Sequence, residues 1–503
     1  MKKIIVLPVF ALLGLMSLHL GAQSNWCGIK AEDVHAMSEH FLQIREEMRD
    51  FVRERNAVTY VPVRFHLVAK NNGSDRPSER LALQALCLLN QAYSDLEIQF
   101  YLKEFKYINN TALATNPESF EGFNTISSSM VYNAINVFVV DEINDPGVAA
   151  YWQGPPGPSG NDWIVVSDNF VTNTNVLPHE VGHFFSLLHP FNGWEVSGGW
   201  NPAVHGNPVG TFSPGGVLNE LVSGSNCNNA GDFICDTPAD YMFGPSNTCV
   251  YNLDAKDPTG ALLAPDVYNR MNYFYNCNAY SFTPQQITQI NNSLFHSSRN
   301  YVRPGITPNL AQVSGSPTLV KPNNNEKVET YNYVELLWTA VSGANRYLVE
   351  ISSASLGSVR FITNDNSLIV TALQPNHTYL WRVMAYNEYS TCANYSSNRI
   401  LRTGDSIFTD TSDIPAFDKW TATPNPVKSG FPIIVTVESM IGMEAEMTLL
   451  TMTGQVVQQY KGLKFPSGLS SHEIPTAGLP EGIYVIVLRT GDGFEVQRVA
   501  VVQ

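Results

Sequence analysis

The chain has 503 residues, enough for about three or four domains of ordinary size. Hydrophobic residues make up 44%, which excludes bulk disorder, and charged residues only 15%, against a usual share of about 25%, so the surface is polar largely through uncharged groups. With 30 Lys and Arg against 45 Asp and Glu, the net charge of −15 argues against a nucleic-acid groove or binding to an anionic membrane surface.

The chain opens Met1-Lys2-Lys3, continues through an apolar run from Ile4 to Leu20, and reaches small residues at Gly21-Ala22. A short basic start, a greasy core and a small-residue cleavage point predict a signal peptide over 1–22. No later stretch is long and apolar enough to cross a bilayer. Residues 23–58 read as a pro-segment. Val34 to Val52 has helical spacing but mixed charge, including Arg45-Glu46-Glu47, and such a helix is hard to place in a core. Past it, Tyr60–Val68 reads as a first strand, Leu81–Tyr93 as an amphipathic helix, and Leu96–Leu102, Ile135–Val140 and Trp163–Val166 as further strands. The upper edge of this sheet, placed at Trp163–Val166, could take an extended peptide by strand addition.

Leu177-Pro178-His179-Glu180-Val181-Gly182-His183-Phe184-Phe185-Ser186-Leu187-Leu188-His189-Pro190 carries the chemistry. On a helix, His179 and His183 present imidazoles on one face, with Glu180 beside any metal they hold. His189 reaches the same ion only if the helix ends near Ser186 and the chain turns back. Three protein ligands leave one position for water, as in a catalytic rather than a structural zinc. A helix carrying ordinary surface histidines is the plainer reading of the first two alone.

His179-Glu180-x-x-His183…His189, with His189-Pro190-Phe191, Gly231-Asp232-Phe-Ile-Cys235-Asp236-Thr237-Pro238 and Asn269-Arg-Met271-Asn272-Tyr273, resembles the pappalysin-type metzincin metallopeptidases over roughly Thr59 to Asn300. That resemblance implies that Met271 forms the Met-turn beneath the zinc and that Tyr273 supports the tetrahedral intermediate, although either could be a packed core residue. The family has Gly where Ser186 stands, so Ser186 is expected in an unusual φ or at a reshaped helix end. Cys27 resembles the cysteine by which some members are kept latent. It could also pair with Cys87 or Cys392, or be idle. Removal of the segment is expected by cutting near Arg53 or Arg55. The family also binds calcium near Asp232 and Asp236, which read equally well as solvated loop acids. The stretch Asn192–Gly216 could line the substrate cleft.

Cys227, Cys235, Cys249 and Cys277 lie in a region poor in regular structure, where export favours two disulfides in any of three pairings. A four-thiolate zinc site is the alternative. Residues 308–405 form a β unit with strands at Val334–Trp338, Tyr347–Ile351 and Thr378–Ala385. Its buried Trp and its Leu373…Tyr379 pair are close to the fibronectin type III pattern. A linker over Asp410–Phe417 leads to β-rich runs at Phe431–Val437, Met447–Met452, Gly482–Leu488 and Phe494–Val502. With Pro424-Asn425-Pro426, Gly454-Gln455-Val456-Val457 and Leu479-Pro480-Glu481-Gly482-Ile483-Tyr484-Val485, residues 421–503 resemble the C-terminal sorting domain of type IX secretion in Bacteroidetes.

The expected fold is an α/β (α+β) metzincin-like peptidase domain over 59–303, with an active-site helix and Met-turn, followed by two all-β sandwiches. The expected function is a secreted or outer-membrane-attached zinc endopeptidase acting on protein or peptide substrates, with the type IX secretion machinery as partner and no nucleic acid. The alternative is a catalytically weak adhesin that works through its fibronectin-like module.

Overall fold

Continuous apolar runs in the first part of the chain become the interior strands of one sheet, because only strands covered on both faces can be apolar throughout. The computed structural model describes residues 27–30, 33–53, 58–145, 147–154, 160–242, 249–274, 277–306, 311–371, 373–407, 417–439, 443–466, 468–490 and 494–502. The expected signal peptide, Arg55 and nearly all of the expected linker lie outside these residues. Two units divide the chain, Met1–Pro308 and Asn309–Gln503.

The first unit is mixed α+β. Its elements are α1 (Asp33–Glu47), β1 (Thr59–Ala69), α2 (Glu79–Ala92), β2 (Ile98–Asn109), α3 (Thr111–Thr115), α4 (Phe120–Ser129), β3 (Ile135–Val140), β4 (Ala150–Gln153), β5 (Trp163–Ser167), α5 (Val176–Phe184), α6 (Pro202–His205) and α7 (Pro284–Phe295). The sheet runs β2-β1-β3-β5-β4. β2, β1, β3 and β5 are parallel neighbours, and β4 closes one edge antiparallel to β5. This corrects the expected edge: Trp163–Val166 is buried between β3 and β4, and the free edge is β4.

Two further expectations change. Helix α1 stops at Glu47, and it does reach the core. Val34, Met37, Phe41 and Ile44 recur at helical spacing and are buried, giving one apolar stripe under a charged exterior. Arg45 donates to the carbonyls of Phe233 at 3.0 Å and Asn228 at 3.2 Å, and Glu47 meets His296 Nε2 at 2.7 Å. The four clustered cysteines pair as Cys227–Cys235 and Cys249–Cys277, which chooses among the three pairings and leaves none of those thiolates for a metal site.

The second unit consists of β-sandwiches. β6 (Leu319–Lys321), β7 (Glu326–Thr330), β8 (Val334–Trp338), β9 (Arg346–Ser353), β10 (Gly357–Thr363), β11 (Ser367–Val370), β12 (Thr378–Tyr386) and β13 (Arg399–Ser406) form sheets ordered β10-β9-β12-β13-β7 and β11-β8-β6. Tyr379, Trp381 and Val383 face one core with Trp338, as their alternate spacing predicts. The Tyr379 hydroxyl accepts from the Gln374 N–H at 2.8 Å, a bond back to the chain just upstream of the kind that braces immunoglobulin-like sandwiches. Beyond residue 416, β14 (Phe417–Thr423), β15 (Val427–Lys428), β16 (Ile433–Ser439), β17 (Met443–Thr451), β18 (Val456–Phe465), β19 (Gly468–Ile474), β20 (Gly482–Arg489) and β21 (Phe494–Val502) make sheets ordered β14-β16-β19 and β15-β21-β20-β17-β18. Their inner faces share a core that includes Val435, Met447, Leu449, Ile486 and Val499.

Candidate metal centre

Helix α5 carries His179, Glu180 and His183, all fully buried. Glycine at position 182 lets Met271 lie against the helix, since a Cβ there would sit 2.5 Å from the Met271 sulfur. The helix ends at Phe184 in a Schellman turn. The Ser186 N–H bonds the His183 carbonyl at 2.8 Å and the Leu187 N–H bonds the Gly182 carbonyl at 3.0 Å. That turn needs a left-handed residue, and Ser186 supplies it with φ at 66°. Its hydroxyl lies 3.0 Å from that of Ser293. Buried Arg299 pairs with Asp162, lies 3.9 Å over the Phe184 ring and donates to the Phe184 carbonyl, so the point where the chain reverses is tied to the body of the unit.

The strain at Ser186 can be measured. Glycine there removes a left-handed penalty of about 1 kcal/mol and loses a buried hydrogen bond worth about 1 kcal/mol. We expect Ser186→Gly to fall within about 1 kcal/mol of the parent in denaturant unfolding. Ser186→Ala keeps the strain, loses the bond, and should be less stable by about 1–2 kcal/mol. Equal stability of the two variants would show that the turn is not strained.

The reversal brings His189 back to the helix. His179 Nε2 lies 3.0 Å from His183 Nε2 and 3.1 Å from His189 Nε2, and the last two are 3.1 Å apart. Each ring is held from behind: Nδ1 of His179 meets the Arg270 carbonyl, Nδ1 of His183 the Leu187 carbonyl, and Nδ1 of His189 the Glu195 carboxyl, all at 2.8 Å. A carbonyl only accepts, so Nδ1 is the protonated nitrogen in His179 and His183, and it is so in His189 when Glu195 is ionised. Burial holds all three imidazoles neutral, with His189 lowered to about 3. Three Nε2 lone pairs then face one another with no proton to share. Such short contacts repel unless a cation lies among them, and their spacing fits ligand bonds of about 2.0–2.1 Å to zinc.

Cys27 completes the cluster, with Sγ 3.6 Å from His183 Nε2. It is the free thiol among the described residues, so the disulfide alternative for it does not hold. Burial, then the Glu180 carboxylate, pushes this thiol up. The surrounding segment lies on the free sheet edge: Cys27 bridges Ala150 in parallel register and the Gly28 N–H donates to the Ala150 carbonyl at 2.9 Å. The Tyr273 hydroxyl donates to the Cys27 carbonyl at 3.0 Å. These four side chains can coordinate a metal ion, and a mixed imidazole and thiolate set suits zinc.

Glu180 stands beside them. Neither of its oxygens has a hydrogen bond of ordinary geometry, and burial pushes its carboxyl up to about 8, partly held back by the Cys27 thiol and the Trp152 backbone. Met271 is fully buried. The Tyr273 ring lies 4.7 Å from both His189 and Phe191. Sequence reasoning missed Glu195 and Ala150 as the docking point of Cys27, and gave no role to Phe191, which stacks on His189 at 4.6 Å.

Asp232 and Asp236, the acids expected near calcium, both accept hydrogen bonds from the protein. Asp236 accepts from the Thr283 hydroxyl at 2.6 Å and the Gln285 N–H at 2.9 Å, and Asp232 accepts from the Ile234 N–H and the Thr237 hydroxyl, both at 3.0 Å. Within Asn192–Gly216, Trp194 is buried, stacked 5.1 Å from Tyr241 and bonded to Asn219 at 2.9 Å, so part of that stretch packs inward. Arg53 is anchored too, donating to the carbonyls of Leu96 at 2.6 Å and Glu97 at 2.8 Å and to Asn291 Oδ1 at 2.8 Å.

Over a little under half its length the chain is similar to extracellular metalloproteases of fungi. An extracellular metalloprotease of Arthroderma benhamiae is 24% identical over 240 residues, covering 45% of this chain and 69% of that protein. One from Neurospora crassa is 25% identical over 248 residues, covering 46% and 74%. Residues 422–503 match the secretion system C-terminal sorting domain. The chain is sorted for export. Its tail is that of a Bacteroidetes-type secretion system, so the type IX machinery is a partner and the protein is secreted or held at the cell surface. Among the described residues no helix is long and apolar enough to cross a membrane. Fibronectin type III structures resemble part of the chain, among them the FN1-FN3 domains of chicken CNTN1, at 12% identity and a TM-score of 0.17 over 39% of this chain and 71% of that one.

Proposed function

We propose that the chain is a secreted zinc endopeptidase of the pappalysin-type metzincin class, made as a latent precursor. The observation that carries this reading is the three inward Nε2 atoms at 3.0–3.1 Å beside a buried, unpartnered Glu180. In this reading 1–22 is the signal peptide, 23–58 the pro-segment, 59–303 the peptidase domain, 308–405 the fibronectin-like domain and 421–503 the sorting domain.

His179, His183 and His189 would hold the zinc. When bound, the ion supplies Lewis acidity, lowering the pKa of a water and polarising the scissile carbonyl. Glu180 would take the proton from the attacking water and hand it to the leaving amine. Tyr273 donates to the developing oxyanion, and its bond to the Cys27 carbonyl supports that geometry. Met271 forms the Met-turn, an apolar floor under the helix. Cys27 occupies the water's place until the segment leaves. Arg53 is held by the body of the unit, which favours Arg55 over Arg53 as the point of cutting.

The test is cleavage of a mixed peptide library by the matured protein. We expect loss of activity on treatment with a chelator and return on adding zinc. Chelator-resistant cleavage, or none after zinc loading, overturns the reading.

A further inference from the structure

Apart from the ligands and Glu180, the buried carboxyl of Glu195 has the least ordinary surroundings at this centre. We propose that Glu195 is a positioning residue of the metal centre, aiming His189 and raising the donor strength of that one ligand. The inference rests on the metal reading above.

His179 and His183 are placed by their helix, and their rings lean on backbone carbonyls. His189 lies beyond the Ser186 turn, so the helix does not fix it. One carboxyl does so instead: Glu195 Oε1 meets His189 Nδ1 at 2.8 Å, and Oε2 accepts the Gly193 N–H at 2.7 Å. The carboxyl thus ties the ring to the loop that carries it. That loop is pinned from its other side, since Gly193 has φ of 89° and a Cβ there would come within 2.3 Å of the Ser213 hydroxyl.

Charge points the same way. The Glu195 side chain is 3% exposed and that of His189 0%, and among the described residues no Lys or Arg pairs with this carboxyl. A buried carboxylate without a cation is costly, and a dication on the far side of the imidazole offsets that cost. A carboxylate behind a ligating histidine also makes the ring a stronger donor than a carbonyl does, and losing such a partner typically weakens metal binding by about 10–100-fold.

The test is Glu195→Gln in the full-length protein, stripped of metal and titrated with zinc against a chromophoric chelator. Glutamine offers one acceptor where His189 and Gly193 need two, so zinc affinity should fall about 10–100-fold, and the absorption bands of the cobalt-substituted protein should change. The melting temperature should fall more for zinc-loaded than for metal-free protein. Zinc affinity within twofold of wild type overturns the proposal, as does an equal fall in both melting temperatures, which would make Glu195 a loop staple only. A wild-type protein that takes up no zinc would overturn the metal reading itself, whereas normal uptake with an unchanged variant removes only the role of Glu195.

Discussion

Replacing Glu180 by glutamine in the matured protein is expected to lower peptide cleavage by roughly 10²–10⁴-fold while zinc content stays at the wild-type level. Glutamine keeps the size and place of a side chain that makes no hydrogen bond of ordinary geometry, so neither folding nor ligation should suffer. What disappears is the acceptor for the water's proton. A loss below about tenfold would mean that another group serves as base, and loss of zinc along with activity would make Glu180 part of the ligand shell. Peptide turnover and metal content, measured on the same preparation, separate these outcomes.

The second large effect is expected from Cys27→Ala in the full-length chain. The thiol sits 3.6 Å from His183 Nε2, where the proposed mechanism needs a water. Its loss leaves the backbone contacts to Ala150 and Tyr273 in place but would remove the sulfur's hold on the proposed zinc, taken at about 1.5–3 kcal/mol, the scale of a hydrogen bond to a charged group. At about 1.4 kcal/mol for each factor of ten, uncut protein should gain roughly tenfold to a hundredfold in activity toward the level of proteolytically matured enzyme. Unchanged activity of the uncut variant would remove Cys27 from any role in latency.

Much of this was legible in the chain. Ile135–Val140 reads as a strand because it is apolar throughout, and Thr378–Ala385 because its apolar residues alternate. The His179–His189 spacing defined the metal cluster, and serine in place of the glycine found in the metallopeptidases it resembles foretold the left-handed Ser186. The same logic, pressed further, would have put Trp163–Val166 in the sheet interior, since an edge strand seldom buries every side chain. β4 escaped notice because its four residues carry no pattern until they pair with β5. The stripe on α1 was hidden by its charged neighbours. Glu195 belongs to no motif; the clue was that a ligating His189 needs an acceptor for its second nitrogen, and a carboxyl lay within one loop of it.

If residues 23–58 are the pro-segment proposed above, the buried stripe of α1 would separate scission of the chain from the onset of activity. Four buried apolar side chains, at about 1.5–3 kcal/mol each, hold with an upper bound of roughly 6–12 kcal/mol. A single cut beyond the helix therefore leaves the segment bound, and only its effective concentration falls, from the millimolar range of a tether to that of a free peptide. A freshly nicked preparation should be a complex of enzyme and inhibitor. Its activity should rise with a lag, and the lag should shorten on dilution or when a second protease destroys the released helix.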